Sequence, residues 1–229
     1  MIRHEYLPWT EHALPAAARF LAEERAADGT LDLQGSVVAL PAARAGRRLL
    51  ELLVDESDAR GLILLPPRIT TLKALPEQLY EPPRPLADDT LARRVWSRAL
   101  RGLEPEARSA VFPEPPAPDD LPAWDRIARL VLDLHREIAG RRLDFDDVAA
   151  ACREMGADTE VDRWRALASA GRACDGRLER LGLIDRDGAR LRALASGDVG
   201  AEVDLWLLGV VELPAVTRRL IEAAAEGSA

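Results

Sequence analysis

Hydrophobic rhythm changes abruptly at Glu81-Pro82-Pro83-Arg84-Pro85, and that change constrains the fold more than any bulk property of the chain. Upstream, short apolar runs alternate with stretches of helical periodicity. Leu14 to Glu24 repeats apolar residues at helical spacing after a short segment containing Pro8 and Trp9, and Asp28-Gly29 supplies a stop. Ser36-Val37-Val38-Ala39-Leu40 is too brief for a helix and rich in β-branched residues, so a strand is expected there. Ala42 to Glu56 returns to the helical period through Ala45, Leu49, Leu52 and Leu53. A second strand is expected over Gly61-Leu62-Ile63-Leu64-Leu65, stopped by Pro66-Pro67, and Ile69-Thr70-Thr71 is expected to lead into a helix ending near Tyr80. Strands that are apolar on both faces, each followed by a helix, predict a parallel sheet covered by helices on both sides. The core is read as α/β.

From Leu86 to about Ala195 only helical periodicity is present, broken by Pro113-Glu114-Pro115-Pro116-Ala117-Pro118. Helices are expected over Asp88 to Leu103, Asp120 to Ala139, Phe145 to Met155 and Val161 to Leu181, with Asp88, Asp120, Asp144 and Asp158 as N-caps. Gly140, Gly156 and Gly182 suit their C-terminal ends. Val203 to Val210 returns to strand, and Leu213 to Ala225 makes a last helix. The resulting division is a discontinuous α/β domain of residues 1–85 and 200–229, interrupted by an all-helical insert of residues 86–199.

A chain of 229 residues buries a core without covalent staples, and its two isolated cysteines suit a reducing compartment, so a cytoplasmic location is expected. No apolar run approaches the roughly 20 residues of a membrane span, and the N-terminus lacks the layout of a signal peptide. The net charge of −8 excludes a protein whose whole surface attracts phosphate, but leaves room for a local basic groove. Of the 31 basic residues only Lys73 is a lysine, and the accompanying Ala, Leu and Pro point to genome composition, so arginine abundance alone says little.

The usual chemical motifs are missing. Lys73 sits in Thr-Leu-Lys-Ala with no glycine near it, so there is no Walker A loop. His4, His12 and His135 read as surface histidines, and Cys152 and Cys174 as buried apolar thiols, because none shows the spacing of a zinc site. Asp144, Asp146 and Asp147 read as first-turn capping acids, and Asp185-Arg186-Asp187-Gly188 reads as a turn, since an EF-hand loop starting there would need a glutamate where Ser196 stands. No Gly-x-Ser-x-Gly is present. Trp96, Trp124, Trp164 and Trp206 fit apolar faces and are expected to pack. Two segments remain: Pro41-Ala42-Ala43-Arg44 and Pro67-Arg68-Ile69-Thr70-Thr71 follow expected parallel strands at the ends where α/β sheets place ligand contacts. Arg44, Arg68, Thr70 and Thr71 are the candidate contacts to a phosphodiester backbone.

Taken together, SVVALPAARAGRRLLELL, LILLPPRITTLKALPEQLY, RWRALASAGRACDGRLERLGLID and VDLWLLGVVELPAVTRRLIEA resemble the N-terminal part of AddB-type subunits of bacterial helicase-nucleases, of the PD-(D/E)XK nuclease family. The first two segments resemble superfamily 1 helicase motifs Ia and Ib, the third the helical subdomain 1B, and the last strand the Walker B strand. The resemblance implies a RecA-like, P-loop NTPase-like parallel sheet with a large helical insertion, matching helicase domains 1A and 1B. It also implies the inactivated state: Leu7-Pro8-Trp9-Thr10 stands where Gly-Lys-Thr would be, and Gly209-Val210-Val211-Glu212 leaves Glu212 alone where an acidic pair would follow the strand. That family continues into a second helicase-like domain and a C-terminal nuclease, so this polypeptide is expected to be a fragment or a truncated relative, without catalytic site, metal or cofactor. The expected role is binding or channelling DNA, as a single strand or a duplex end, during double-strand-break repair beside a helicase-nuclease partner subunit. The competing expectation is a protein–protein interaction module with no nucleic-acid contact, its helical block docking a partner; an enzyme with a hidden pocket of acids or histidines is the third.

Overall fold

The computed structural model of the chain describes residues 2–8, 10–200 and 204–227; Trp9 and Val203 lie outside them. The chain divides into two compact units, one of Met1–Glu81, Gly197–Leu213 and Thr217–Ala229, the other of Pro82–Ser196 and Pro214–Val216. The fold is α/β, with small parallel and mixed sheets and a larger helical content.

In the first unit, helix α1 (Ala13–Arg25) leads into a hairpin of β1 (Ala26–Ala27) and β2 (Thr30–Asp32). Asp28 and Gly29 both have positive φ, 46° and 75°, the pair of left-handed residues that a two-residue hairpin turn requires. Asp28-Gly29, expected only to stop the helix, therefore reverses the chain between two strands. Strand β3 (Ser36–Leu40) follows as expected, with all five residues buried, and then helix α2 (Ala43–Arg60).

Two expectations about the sheet are corrected. The apolar run after α2 forms only a short strand, β4 (Ile63–Leu65), which pairs in parallel with β2 and not with β3; Ile63 is 67% exposed, so this strand is not covered on both faces. The segment after Pro66-Pro67 is itself a strand, β5 (Arg68–Thr71), paired in parallel with β3, in place of the expected start of a helix. Three consecutive β-branched residues, Ile69, Thr70 and Thr71, crowd a helix and suit a pleat. Beyond β5 the chain makes only a 3-10 turn at Pro76–Gln78. After the helical segment, strand β6 (Asp204–Leu207) pairs in parallel with the other edge of β3, giving the order β5-β3-β6. Val38 and Leu40 of β3 pack with Leu21 of α1 and Leu49 and Leu53 of α2, while Ile69 and Trp206 join this core from the flanking strands. Trp206 thus packs as expected, with Arg25 over its ring at 5.5 Å. Helix α9 (Ala215–Gly227) is the last described element.

The second unit is helical. Helix α3 (Asp89–Arg101) is capped by Asp88, which accepts from the Thr90 and Leu91 N–H groups at 2.8 Å. Helix α4 (Pro105–Val111) has no counterpart in the sequence-based expectation. Asp120 caps α5 (Leu121–Gly140), and Asp144 and Asp147 form a reciprocal capping box on α6 (Phe145–Glu154). Asp158 is not a cap but the first residue of α7 (Asp158–Arg180). Asp185 to Gly188, expected as a turn, opens helix α8 (Arg186–Ser196), whose Gly188 N–H donates to Asp185 Oδ2 at 2.9 Å. Trp96 of α3 and Trp124 of α5 are buried in the core of this unit with Phe145 and Leu167, and half-buried Trp164 stacks on Phe145 at 6.0 Å. Both cysteines are buried and free.

Close packing of α2 on β5 depends on Gly46. A Cβ built there would lie 2.5 Å from Ile69 Cγ2, a methyl on a branched carbon that cannot swing aside. Gly46→Ala should therefore destabilise the chain by about 1–2 kcal/mol although alanine favours a helix by about 1 kcal/mol. Adding Ile69→Ala should cost less than the two single losses summed, a coupling that urea unfolding of the double-mutant cycle measures.

Candidate nucleic-acid interface

The four residues singled out in the sequence do not converge. Arg44 lies in the exposed first turn of α2, just past the C-terminal end of β3. Thr71 reaches the same end of the sheet, opposite Leu40, but Arg68 lies opposite Val37, three residues earlier. At about 3.3 Å per residue that places the Arg68 backbone roughly 10 Å from the strand ends where Arg44 begins its helix. Alternation separates the others: Thr71 shares the face of Ile69 and α2, whereas Arg68 and Thr70 share the opposite face. The α2 end of the sheet keeps Arg44 with Arg47, both exposed and neither in an ion pair among the described residues, while Arg48 is engaged by Glu51 at 2.7 Å.

The helical unit carries a more ordered set of free cations. Arg94, Arg98 and Arg101 stand at i, i+4 and i+7 on α3, which puts them within one arc of about 60° on the helix. Their neighbours are neutralised: Arg93 pairs with Asp125 at 3.1 Å, Arg136 with Asp89 at 2.7 Å and Arg172 with Asp146 at 2.6 Å. Among the described residues no acid pairs with Arg94, Arg98 or Arg101. The three guanidinium-bearing residues line a groove of about 240 Å³ together with Ser97, Leu121 and Asp125. Ser97 is only 8% exposed and its hydroxyl makes no hydrogen bond among the described residues, so a donor faces this groove without a protein partner. Sequence reasoning missed the row because its signal, arginines at helical spacing, recurs on α2, α5 and α7, and only tertiary contacts tell paired from unpaired ones.

Exposed leucines do not form a rival patch on α5. Leu121 and Leu130 are 53% and 69% exposed, but nine residues apart they lie on opposite sides of the helix.

A second cluster is buried in the same unit. His135, expected at the surface, is half-buried on α5, tilted against Trp96 at 5.4 Å, with Nε2 3.3 Å from Asp185 Oδ2. Asp187 is 6% exposed and pairs with Arg190 at 3.2 Å. Burial works against the charged His135, yet its hydrogen bond to Asp185 and the field of Asp185, Asp187 and Asp175 outweigh it and raise its pKa. Burial likewise opposes ionised Asp185, but His135 and the helix N–H groups hold its pKa below the usual range. Burial and then repulsion from Asp185 push Asp175 and Asp187 up, and burial pushes the Cys174 thiol up.

These shifts set a pH dependence of stability. A histidine raised in the folded state contributes stability that is complete below its unfolded value of about 6.5 and is lost as pH rises through the raised value. Asp185, lowered, contributes above its unfolded value and loses that contribution only in acid. Urea midpoints in the presence of chelator should therefore fall between about pH 6 and pH 8 in the native chain, and His135→Gln should flatten that slope.

No protein-family model, no curated protein and no solved structure matches the chain.

Proposed function

We propose that the chain is an ATP-independent DNA-binding scaffold: an inactivated, helicase-like domain of an AddB-type helicase-nuclease subunit, acting beside a motor subunit in break processing. The observation that carries the reading is the row Arg94, Arg98 and Arg101, three guanidinium groups in no ion pair among the described residues of a chain of net charge −8, beside one acid, Asp125, that is engaged by Arg93. Unpaired arginines in a row repel one another and suit a polyanion, whose phosphates they contact bidentately. Along the helix axis the row spans about 10 Å, long enough for consecutive phosphates of one strand and longer than a single phosphate needs. Arg44 and Arg47 at the α2 end of the sheet supply a separate basic spot on the other unit.

The RecA-like assignment, with the helical segment as the counterpart of subdomain 1B, belongs to this proposal. It is supported by the parallel order β5-β3-β6 and by the helical segment falling in sequence between β5 and β6. No motor activity is proposed, because Leu7-Pro8-Trp9-Thr10, the segment that the resemblance sets against Gly-Lys-Thr, contains neither glycine nor lysine to hold a nucleotide phosphate.

Fluorescence anisotropy with labelled single strands and duplex ends tests the reading. Binding should weaken steeply with salt and ignore ATP, and the variant R94A/R98A/R101A should bind at least tenfold more weakly, with a salt slope about 2 units shallower. Salt-insensitive binding, no binding, or native affinity in the triple variant overturns it.

A further inference from the structure

The buried cluster of the helical unit plays no part in phosphate binding, and its composition calls for a different ligand. His135 comes from α5, while Asp185 and Asp187 stand at the start of α8. One donor atom from each lies within 4.8 Å of the other two. An ion with bonds of about 2.1 Å in tetrahedral geometry holds its ligands about 3.4 Å apart. The His135 Nε2 to Asp185 Oδ2 separation, 3.3 Å, already has that spacing.

Three further observations converge on this place. The first is charge: the carboxylates of Asp175, Asp185 and Asp187 are gathered around the His135 imidazole, and of the guanidinium groups nearby, Arg136, Arg190 and Arg192, it is Arg190 that pairs with a member of the cluster, Asp187. The second is an incompletely used carboxylate. Asp187, 6% exposed, accepts from Arg190 through Oδ1, and its other oxygen, with no hydrogen bond among the described residues, keeps its small solvent access and is open to a ligand. The third is space. A cavity of about 30 Å³, the share of one water in the liquid, adjoins the cluster and is lined by His135, Asp185, Asp175 and Cys174. A water there approaches the cluster from its His135 and Asp185 side, away from Asp187.

We infer that His135, Asp185 and Asp187 form a binding site for a divalent transition-metal ion, with zinc the ion that one imidazole and two carboxylates in a tetrahedral arrangement fit best. Asp185 keeps its capping bond to the Gly188 N–H on one lone pair and offers another to the ion, since a carboxylate has about four acceptor positions. Arg190 orients Asp187 from behind, as outer-shell partners do. The ion ties α5 to the start of α8, a structural clamp between helices that are 50 residues apart in sequence at His135 and Asp185. This site stands on residues separate from the arginine row, and its fate is independent of DNA binding.

The test uses the full chain, stripped of metal, and zinc chloride as the probe. Calorimetry should find one zinc per chain with micromolar or tighter affinity, and saturating zinc should raise the thermal midpoint by several degrees. His135→Gln and Asp187→Asn should each weaken binding at least about tenfold, while the double variant His4→Gln, His12→Gln should leave it unchanged. Cobalt in the native chain provides a reading that needs no variant to fold: visible bands of a four- or five-coordinate ion with nitrogen and oxygen ligands are expected. A thiolate charge-transfer band would put the ion on a cysteine and overturn the assignment. So would the absence of a stoichiometric site, or zinc affinity that survives in both His135→Gln and Asp187→Asn.

Discussion

The fold of the first unit depends on satisfying both edges of β3. Its five residues are buried, so no water reaches its backbone, and every N–H and C=O must find a strand partner. One partner, β5, comes from just beyond α2; the other, β6, arrives only after the whole helical segment has been traversed. Parallel pairing forbids a hairpin and demands crossovers. The interruption of the α/β unit by more than 100 residues is thus compatible with a single sheet because β3 leaves an edge that only the returning chain fills.

How much of this is written locally varies by residue. Ser36 to Leu40 declares itself, since an uncapped five-residue apolar run with two valines has few alternatives to a buried strand. Asp88, Asp120 and Asp144 also announce their helices, because side-chain caps are local chemistry. The partner of a strand is not local. Gly61 to Leu65 has the more apolar sequence, yet Arg68 to Thr71 takes the place beside β3, since Ile69 seats in the space that side-chain-free Gly46 leaves on α2. Nothing in either segment alone specifies that fit.

The candidate sites illustrate the same limit. Arg93 and Arg94 are adjacent in sequence, but the helix turns one onto Asp125 and leaves the other in a groove whose one lining acid, Asp125, is already paired with Arg93. The chemistry of a guanidinium group is constant; its availability depends on the helix packed alongside. His135 and Asp185 belong to no spacing motif because their meeting is a product of α5 and α8 lying together. Arg44, Arg68, Thr70 and Thr71 share only their nearness in sequence to strand ends, and the pleat divides them between the ends and faces of one sheet.

The pairing of β6 with β3 has a kinetic side. More than 160 residues separate Leu40 from Asp204. At ribosomal speeds of about 5–20 residues per second, a nascent chain carries β3 for roughly 10–30 seconds before its second neighbour has been synthesised. During that interval a strand of Ser36 and four apolar residues has one open edge, a template for intermolecular addition. The helical unit, whose packing joins segments nearer in sequence, can meanwhile fold by itself, and the sheet β5-β3-β6 closes only when a four-residue strand is captured by an edge made more than 160 residues earlier.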